Sequence, residues 1–160
     1  MTPPAAGNVV LERLADYRLH VYGARAYLDR HAPIRSRDDM LAHPFIGYVD
    51  DLIFTRALNY LNEIGPHLRA RLQNSSLQAQ LVATAQGVGL CVLPDYVACT
   101  MPGLVPVLPE MLTLTRSYWM VSDADMAESA QVRLTRRFLR DTVAQAEVPG
   151  FFPVREGEAR

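Results

Sequence analysis

Residues 85–98 read AQGVGLCVLPDYVA. From Val88 to Pro94 every residue but Gly89 is apolar, without the alternation that a strand with one wet face shows. Such a run predicts a strand covered on both faces, in the middle of a helix-flanked sheet. Gly87 fits the C′ position of a helix that stops just before it, and Pro94-Asp95 starts another helical turn.

Working upstream, Asn74-Ser75-Ser76 is a cluster of preferred N-caps. Leu77, Leu81, Val82 and Ala85 follow at i, i+4, i+5 and i+8, which predicts a helix from there to Gln86. Before it, Leu68, Ala70 and Leu72 alternate with Arg69 and Arg71, the period of a half-buried strand. Asp50-Asp51 supplies an N-cap for a longer helix carrying Leu52, Phe54, Leu58 and Leu61 and ending at Gly65-Pro66. Residues 45–49 form a strand. Ser36 and Asp39 have the S-x-x-D form of a capping box, opening a brief helix through Leu41 that His43-Pro44 closes. Residues 18–22 read as a strand, and Gly23 then opens a short amphipathic helix carrying Ala24, Tyr27 and Leu28, which Pro33 ends.

Downstream, LVPVLP (104–109) and LTLTRSYWMVS (112–122) are strand-like, with Pro106 placing the first at an edge or strand end. Ser129 caps a last helix in which Val132, Leu139 and Val143 form one stripe beside Leu134 and Phe138. From Glu147 onward Pro149, Gly150 and the charged end REGEAR read as a mobile tail in which Phe151 and Phe152 can dock. Strands alternating with helices indicate an α/β fold with a sheet flanked by helices.

Composition narrows the function. Sixteen basic residues against seventeen acidic ones give a formal net charge of −1, so no basic surplus exists for holding nucleic acid by this chain itself. All the basic residues are Arg, which removes Schiff-base chemistry, a P-loop lysine and a Lys general base. Two cysteines outside any C-x-x-C provide neither a disulfide framework nor a zinc pattern. The lead-in MTPPAAGNVV has no positive n-region and no apolar h-region, and no run is long enough to span a bilayer. The expected compartment is the reducing cytoplasm.

Gly87-x-Gly89 is half of a dinucleotide fingerprint, but a helix precedes it and a strand follows, the reverse of the order that fingerprint needs. A helix stop with close backbone packing is the better reading. Cys91 lies in an apolar strand, where a thiol behaves as a small hydrophobe. His20, His31, His43 and His67 show no i, i+4 pair, so no metal site is expected. No catalytic constellation emerges, and Ser122, Asp123 and Asp125 read as a turn and cap. Asn74-Ser75-Ser76 differs in kind: free N–H groups, a helix dipole and short polar side chains beyond the carboxyl end of a strand make an anion site. The same residues also make an ordinary N-cap worth about 1 kcal/mol, and local chemistry supports both.

Five segments in order resemble one family. They are RLHVYGARAYLDRH (18–31), DDMLAHPFIGY (38–48), the Ser-rich turn with AQGVGLCVLPDYVA, LVPVLP, and YWMVSDADMAESAQVRLTRRFLRD (118–141). Together, from about Leu11 to Asp141, they are similar to the effector-binding domain of LysR-type transcriptional regulators, with the two-lobed type 2 periplasmic-binding-protein-like fold. The resemblance implies that residues 9–22 and 118–145 belong to lobe I, 23–117 to lobe II with a mixed sheet, and 146–160 to a C-terminal tail. Tyr22-Gly23 and Tyr118 to Val121 would be hinge strands. A small anionic effector, often a carboxylate, would bind between the lobes. It would touch Asn74, Ser75 and Ser76, the strand end Ile46, Gly47 and Tyr48, and the hinge residues Tyr22 and Val121.

The family's winged helix-turn-helix, linker helix and first elements of lobe I do not precede Leu11 here. The expectation is therefore a partial first lobe, DNA contact only through a domain outside this chain, and self-association as a dimer or larger to cover exposed edges and apolar faces. No cofactor and no catalytic activity are expected. The rival readings are a solute-binding protein of a transporter, which would need export, and a truncated regulator acting only through oligomerisation.

Overall fold

A computed structural model describes residues 8–52 and 58–154. The lead-in before Asn8, Phe54 and the REGEAR end lie outside them. The elements are β1 (Val9–Ala24), α1 (Arg25–Leu28), β2 (Phe45–Gly47), α2 (Tyr60–Ile64), β3 (Ala70–Gln73), α3 (Leu77–Ala85), β4 (Leu90–Pro94), α4 (Asp95–Ala98), β5 (Leu104–Val107), β6 (Leu114–Asp123), α5 (Ala130–Ala144) and β7 (Phe151–Pro153), with single 3₁₀ turns at Asp38–Ala42 and Asp50–Leu52. The chain divides into two compact units, one of residues 1–18 with 115–160 and one of residues 19–114.

In the second unit the strand order is β3-β2-β4-β1-β5. Strand β2 runs parallel to β3 and β4, whereas β1 pairs antiparallel with β4 and β5. The apolar run Leu90–Pro94 is central and wholly buried, as its lack of alternation predicts. Helix α3 turns Gln80, Leu81 and Thr84 inward, and Leu81 joins Tyr22, Ile46, Cys91, Leu93 and Ala98 in a closed core cluster. Each large apolar side chain so buried contributes about 1.5–3 kcal/mol.

Both glycines of the GVG run are explained by backbone geometry. Gly87 has φ +76°; its N–H donates to the Thr84 carbonyl at 2.9 Å and the Val88 N–H to the Ala83 carbonyl at 3.1 Å, which is a Schellman stop. At Gly89 a Cβ would sit 2.2 Å from the Pro44 carbonyl oxygen, because the Leu90 N–H donates to that carbonyl at 2.9 Å. The predicted capping box forms: the Ser36 N–H donates to Asp39 Oδ2 at 2.8 Å and the Asp39 N–H to Ser36 Oγ at 3.3 Å. Pro106 lies opposite Tyr22 on the edge strand β5. Since the Arg25 N–H donates to the Gly103 carbonyl, alternation along the ladder points residue 106 away from β1, so its missing N–H costs no sheet bond.

Two elements differ from the sequence reading. Strand β1 extends back to Val9, through a part whose alternation is interrupted by Glu12 and Arg13; from Ala15 the buried residues Ala15, Tyr17, Leu19 and Val21 do alternate. Where one long helix is expected over residues 50–65, the described residues form a 3₁₀ turn at Asp50–Leu52 and the separate five-residue α2. Asn59, at φ −83° and ψ 60°, is outside the helical region, and Leu52 is exposed rather than part of a buried stripe.

In the first unit the earlier part of β1 pairs with β7, Ala15 facing Pro153 and Tyr17 facing Phe151. Phe151 and Phe152 do dock: Phe151 approaches the Tyr118 ring, which stacks on Tyr17 at 4.7 Å, and the Arg18 guanidinium lies 4.7 Å over Phe152. Helix α5, capped by Ser129, is tied down by charge. Glu12, buried on β1, accepts from Arg136 at 2.6 Å and from Arg140 at 2.9 Å.

Candidate functional site

The parallel pair β2 and β3 sends both strands in one direction, so the residues after their carboxyl ends emerge side by side. The Asn74 N–H donates to the Gly47 carbonyl at 2.9 Å, joining the Asn74–Ser76 turn to the Ile46–Tyr48 strand end. These two predicted segments are thus neighbours.

Within the turn the polar groups have separate tasks. Asn74 Oδ1 accepts from the Ser76 N–H at 2.7 Å, and Ser76 Oγ accepts from the Ala79 N–H at 3.3 Å, capping α3. Asn74 and Ser76 are therefore spent on the backbone, the ordinary capping role. Ser75 is exposed and its hydroxyl has no protein partner among the described residues. It stands beside the first turn of α3, whose leading N–H groups carry the positive end of the helix dipole.

The strand end joined to the turn also lines a cavity of about 430 Å³, of whose wall Asn74, Ser75 and Ser76 are not part. Its walls include Ile46, Gly47 and Tyr48 from β2 together with Asn59, Tyr60, Asn62, Arg69 and Gln80. Arg69 spends Nη1 on the Pro66 and Leu68 carbonyls at 2.9 and 2.7 Å, and its other guanidinium N–H groups have no protein partner among the described residues. Asp50, also on the wall, accepts from Gln73 Nε2 at 2.9 Å. Gln80 is 1% exposed; its Nε2 donates to the Asn74 carbonyl at 2.7 Å and its Oε1 accepts from Cys91 Sγ at 3.6 Å, bracing the turn from beneath.

The lining comes wholly from the second unit. Tyr22 is not part of it; its hydroxyl donates to Asp95 Oδ1 at 2.9 Å, and burial, reinforced by that carboxylate, pushes the phenol well above its usual range. Val121 is half exposed on β6, in the first unit. Cys91 is a packing residue: burial pushes its thiol up to about 12 despite hydrogen bonds involving Thr84 and Val92 that lower it. Sequence reading missed Gln80, Arg69 and the amides Asn59 and Asn62. For Gln80 a signal existed, a polar residue on the inward face of an amphipathic helix; Arg69 looked like the wet side of an alternating strand.

The family model described as LysR substrate binding domain matches residues 1–144. The chain belongs to this family. As a LysR substrate binding domain it is the effector-sensing part of a transcriptional regulator, and this family is not an enzyme class. Its mixed sheet flanked by helices is the periplasmic-binding-protein-like arrangement that the motifs implied.

Solved structures share this fold. The regulatory domain of CrgA from Neisseria meningitidis, a LysR-type transcriptional regulator, is 21% identical over 84% of this chain and 69% of its own, with a TM-score of 0.70. The regulatory domain of MetR from the same organism is 13% identical over 96% of this chain and 75% of its own, with a TM-score of 0.68. That of AphB from Vibrio vulnificus is 16% identical over 88% and 71%, with a TM-score of 0.64. Against CrgA in a longer form the LysR domain spans 50% of the chain. No curated protein matches it in sequence. No helix among the described residues is long and apolar enough to cross a membrane.

Proposed function

We propose that this LysR domain senses a small carboxylate at the joined ends of β2 and β3. The Asn74–Gly47 hydrogen bond carries the reading, because it ties the turn that bears Ser75 and leads into α3 to Gly47, a residue of the cavity wall. The hydroxyl and the leading N–H groups of α3 meet the anion, Arg69 adds positive charge, and Tyr48 and Tyr60 flank its apolar part. Tyr22 and Val121 belong to the reading as positions on the strands that connect the two units, not as donors. An effector with different affinity for two conformations of the domain shifts their populations, and the regulator's separate DNA-binding domain reads that shift in the cytoplasm.

The test is the melting temperature of the chain against a panel of aliphatic, aromatic and amino-acid carboxylates at fixed salt, since a ligand of the native state raises it by mass action. The expected outcome is a selective rise that Ser75→Ala reduces by the equivalent of about 1–2 kcal/mol, the loss of one hydrogen bond to a charged group. An equal rise in the variant would remove Ser75 from the site.

Self-association belongs to the same proposal. Helix α5 exposes Leu134 at 70% and Phe138 at 66%, one turn apart on one face, and apolar area of this kind marks an interface.

A further inference from the structure

Away from the carboxylate site, three segments of the second unit meet at one imidazole. His20 on β1 has Nδ1 2.7 Å from Oδ1 of Asp95, the first residue of α4, and Nε2 2.9 Å from Oγ1 of Thr113, the residue before β6. The second unit runs from residue 19 to residue 114, so His20 and Thr113 each stand one residue inside a place where the chain crosses between the units. The His20 and Asp95 side chains are each 13% exposed.

The hydrogen bonds around the ring fix its protons. An ionised carboxylate only accepts, so Nδ1 donates to Asp95. The Thr113 hydroxyl has a single proton, which it donates to the Pro109 carbonyl at 3.0 Å, and its oxygen is left to accept from Nε2. With these bonds made together both ring nitrogens carry a proton, and His20 is an imidazolium. A largely buried carboxylate needs such a partner, and no arginine pairs with Asp95 among the described residues.

We propose that His20 is a protonation latch that couples Asp95 to the turn leading into β6. As an imidazolium it satisfies Asp95 and Thr113 at once and leaves the Thr113 hydroxyl to close the turn on Pro109. Loss of one proton breaks the arrangement. If Nδ1 keeps its proton, bare Nε2 and the Pro109 carbonyl compete for the one Thr113 hydroxyl proton; if Nε2 keeps it, the Nδ1 lone pair faces the carboxylate. The turn is a sensitive receiver. It is otherwise closed by the Met111 and Leu112 N–H groups, which donate to the Leu108 carbonyl, both at 3.0 Å, and it holds Leu108 at φ +51°, a left-handed conformation that leucine disfavours.

The surroundings of the ring leave Asp95 as the charge in contact with it. On β1, Tyr22 presents its ring edge-on at 6.4 Å and donates its hydroxyl to the same Asp95 Oδ1, while Arg18 lies over Phe152. Strand β4 places Leu93 opposite His20. Cys99, just after α4, acts on Tyr22, and Glu110 in the turn is exposed. Thr113 is exposed as well, so protons reach the latch from solvent.

The test is an NMR pH titration of the whole, isotopically labelled chain between about pH 5 and 8, where imidazole exchanges its proton. The ¹⁵N shifts of the His20 ring should report two protonated nitrogens at the acid end and one at the other. The amides of Leu112, Thr113 and Leu114 should move with the midpoint of the His20 ring. Thr113→Val, which keeps the side-chain shape at an exposed position, should leave the ring titrating and remove most of the amide movement. His20→Gln should flatten the amides, and His67→Gln, at an exposed histidine elsewhere, should leave them as in the parent. Circular dichroism confirms that each variant is folded, and Thr113→Val serves even if His20→Gln is not. Amides that stay still, that follow a midpoint other than that of His20, or that move undiminished in Thr113→Val overturn the proposal.

Discussion

At the scale of the residue, contact distances decide which side chains are fixed by packing and which are free to act. Gly89 is fixed, because a Cβ would lie 2.2 Å from the Pro44 carbonyl oxygen and backbone must yield on one side or the other. Gly89→Ala is expected to cost about 3 kcal/mol, the upper range of overpacking, read as a lower urea midpoint with an unchanged slope; a midpoint equal to the parent's would mean that the β2 and β4 backbones separate freely. Ser75 is the opposite case, an exposed hydroxyl with no structural task, so its substitution should touch binding and leave stability alone. His43 responds to pH. Burial, then His31, hold it below its ordinary 6.5, with Asp39 partly opposing, and Tyr27 is its hydrogen-bond partner. The unfolded chain thus takes up this proton at higher pH than the folded one. Stability is insensitive to it above 6.5 and falls as pH drops through that value toward the folded one. Urea midpoints between pH 7.5 and 5 should fall more steeply for the parent than for His43→Gln, and parallel curves would contradict this. A second loss is expected below the ordinary carboxylate value of 3.8. At Asp16 burial raises the carboxyl, but hydrogen bonds from Arg13 and Ser117 outweigh it; at Asp39 the N–H groups of Arg35 and Ser36 lower it.

At the scale of the element, what was legible in the sequence is what local chemistry determines. The buried strand β4, the Schellman stop at Gly87, the capping box at Ser36 and Asp39 and the outward Pro106 each follow from a few adjacent residues. The early part of β1 does not. Glu12 is tolerated there because Arg136 and Arg140 reach it from α5, 124 and 128 positions later, and no local pattern announces such partners. Glu12→Gln should cost about 2 kcal/mol, the loss of charge-assisted hydrogen bonds, measured by urea unfolding; a change under a few tenths would mean that α5 is held by other contacts. The helix expected over residues 50–65 failed for a backbone reason, the conformation at Asn59. At the site, the capping cluster was legible because helix starts have strong residue preferences. Arg69 was not, since the fold rather than the spacing brings it to the cavity, and Gln80 announced itself only as a polar residue on the inward face of α3.

At the scale of the molecule, a net charge of −1 and a family of substrate binding domains agree on sensing rather than direct nucleic-acid contact. The exposed Leu134 and Phe138 predict a dimer or larger assembly at tens of micromolar by light scattering. The double substitution to Gln should reduce it, and a monomeric parent would count against the interface. The central claim, a carboxylate sensor at the start of α3, is tested most directly by amide NMR during titration with a pool of aliphatic, aromatic and amino-acid carboxylates. The account predicts saturable shifts concentrated at Ser75, Leu77 and Gln78, with smaller ones at Gly47 and Tyr48. Saturable shifts centred elsewhere, with these five amides unmoved, would contradict it.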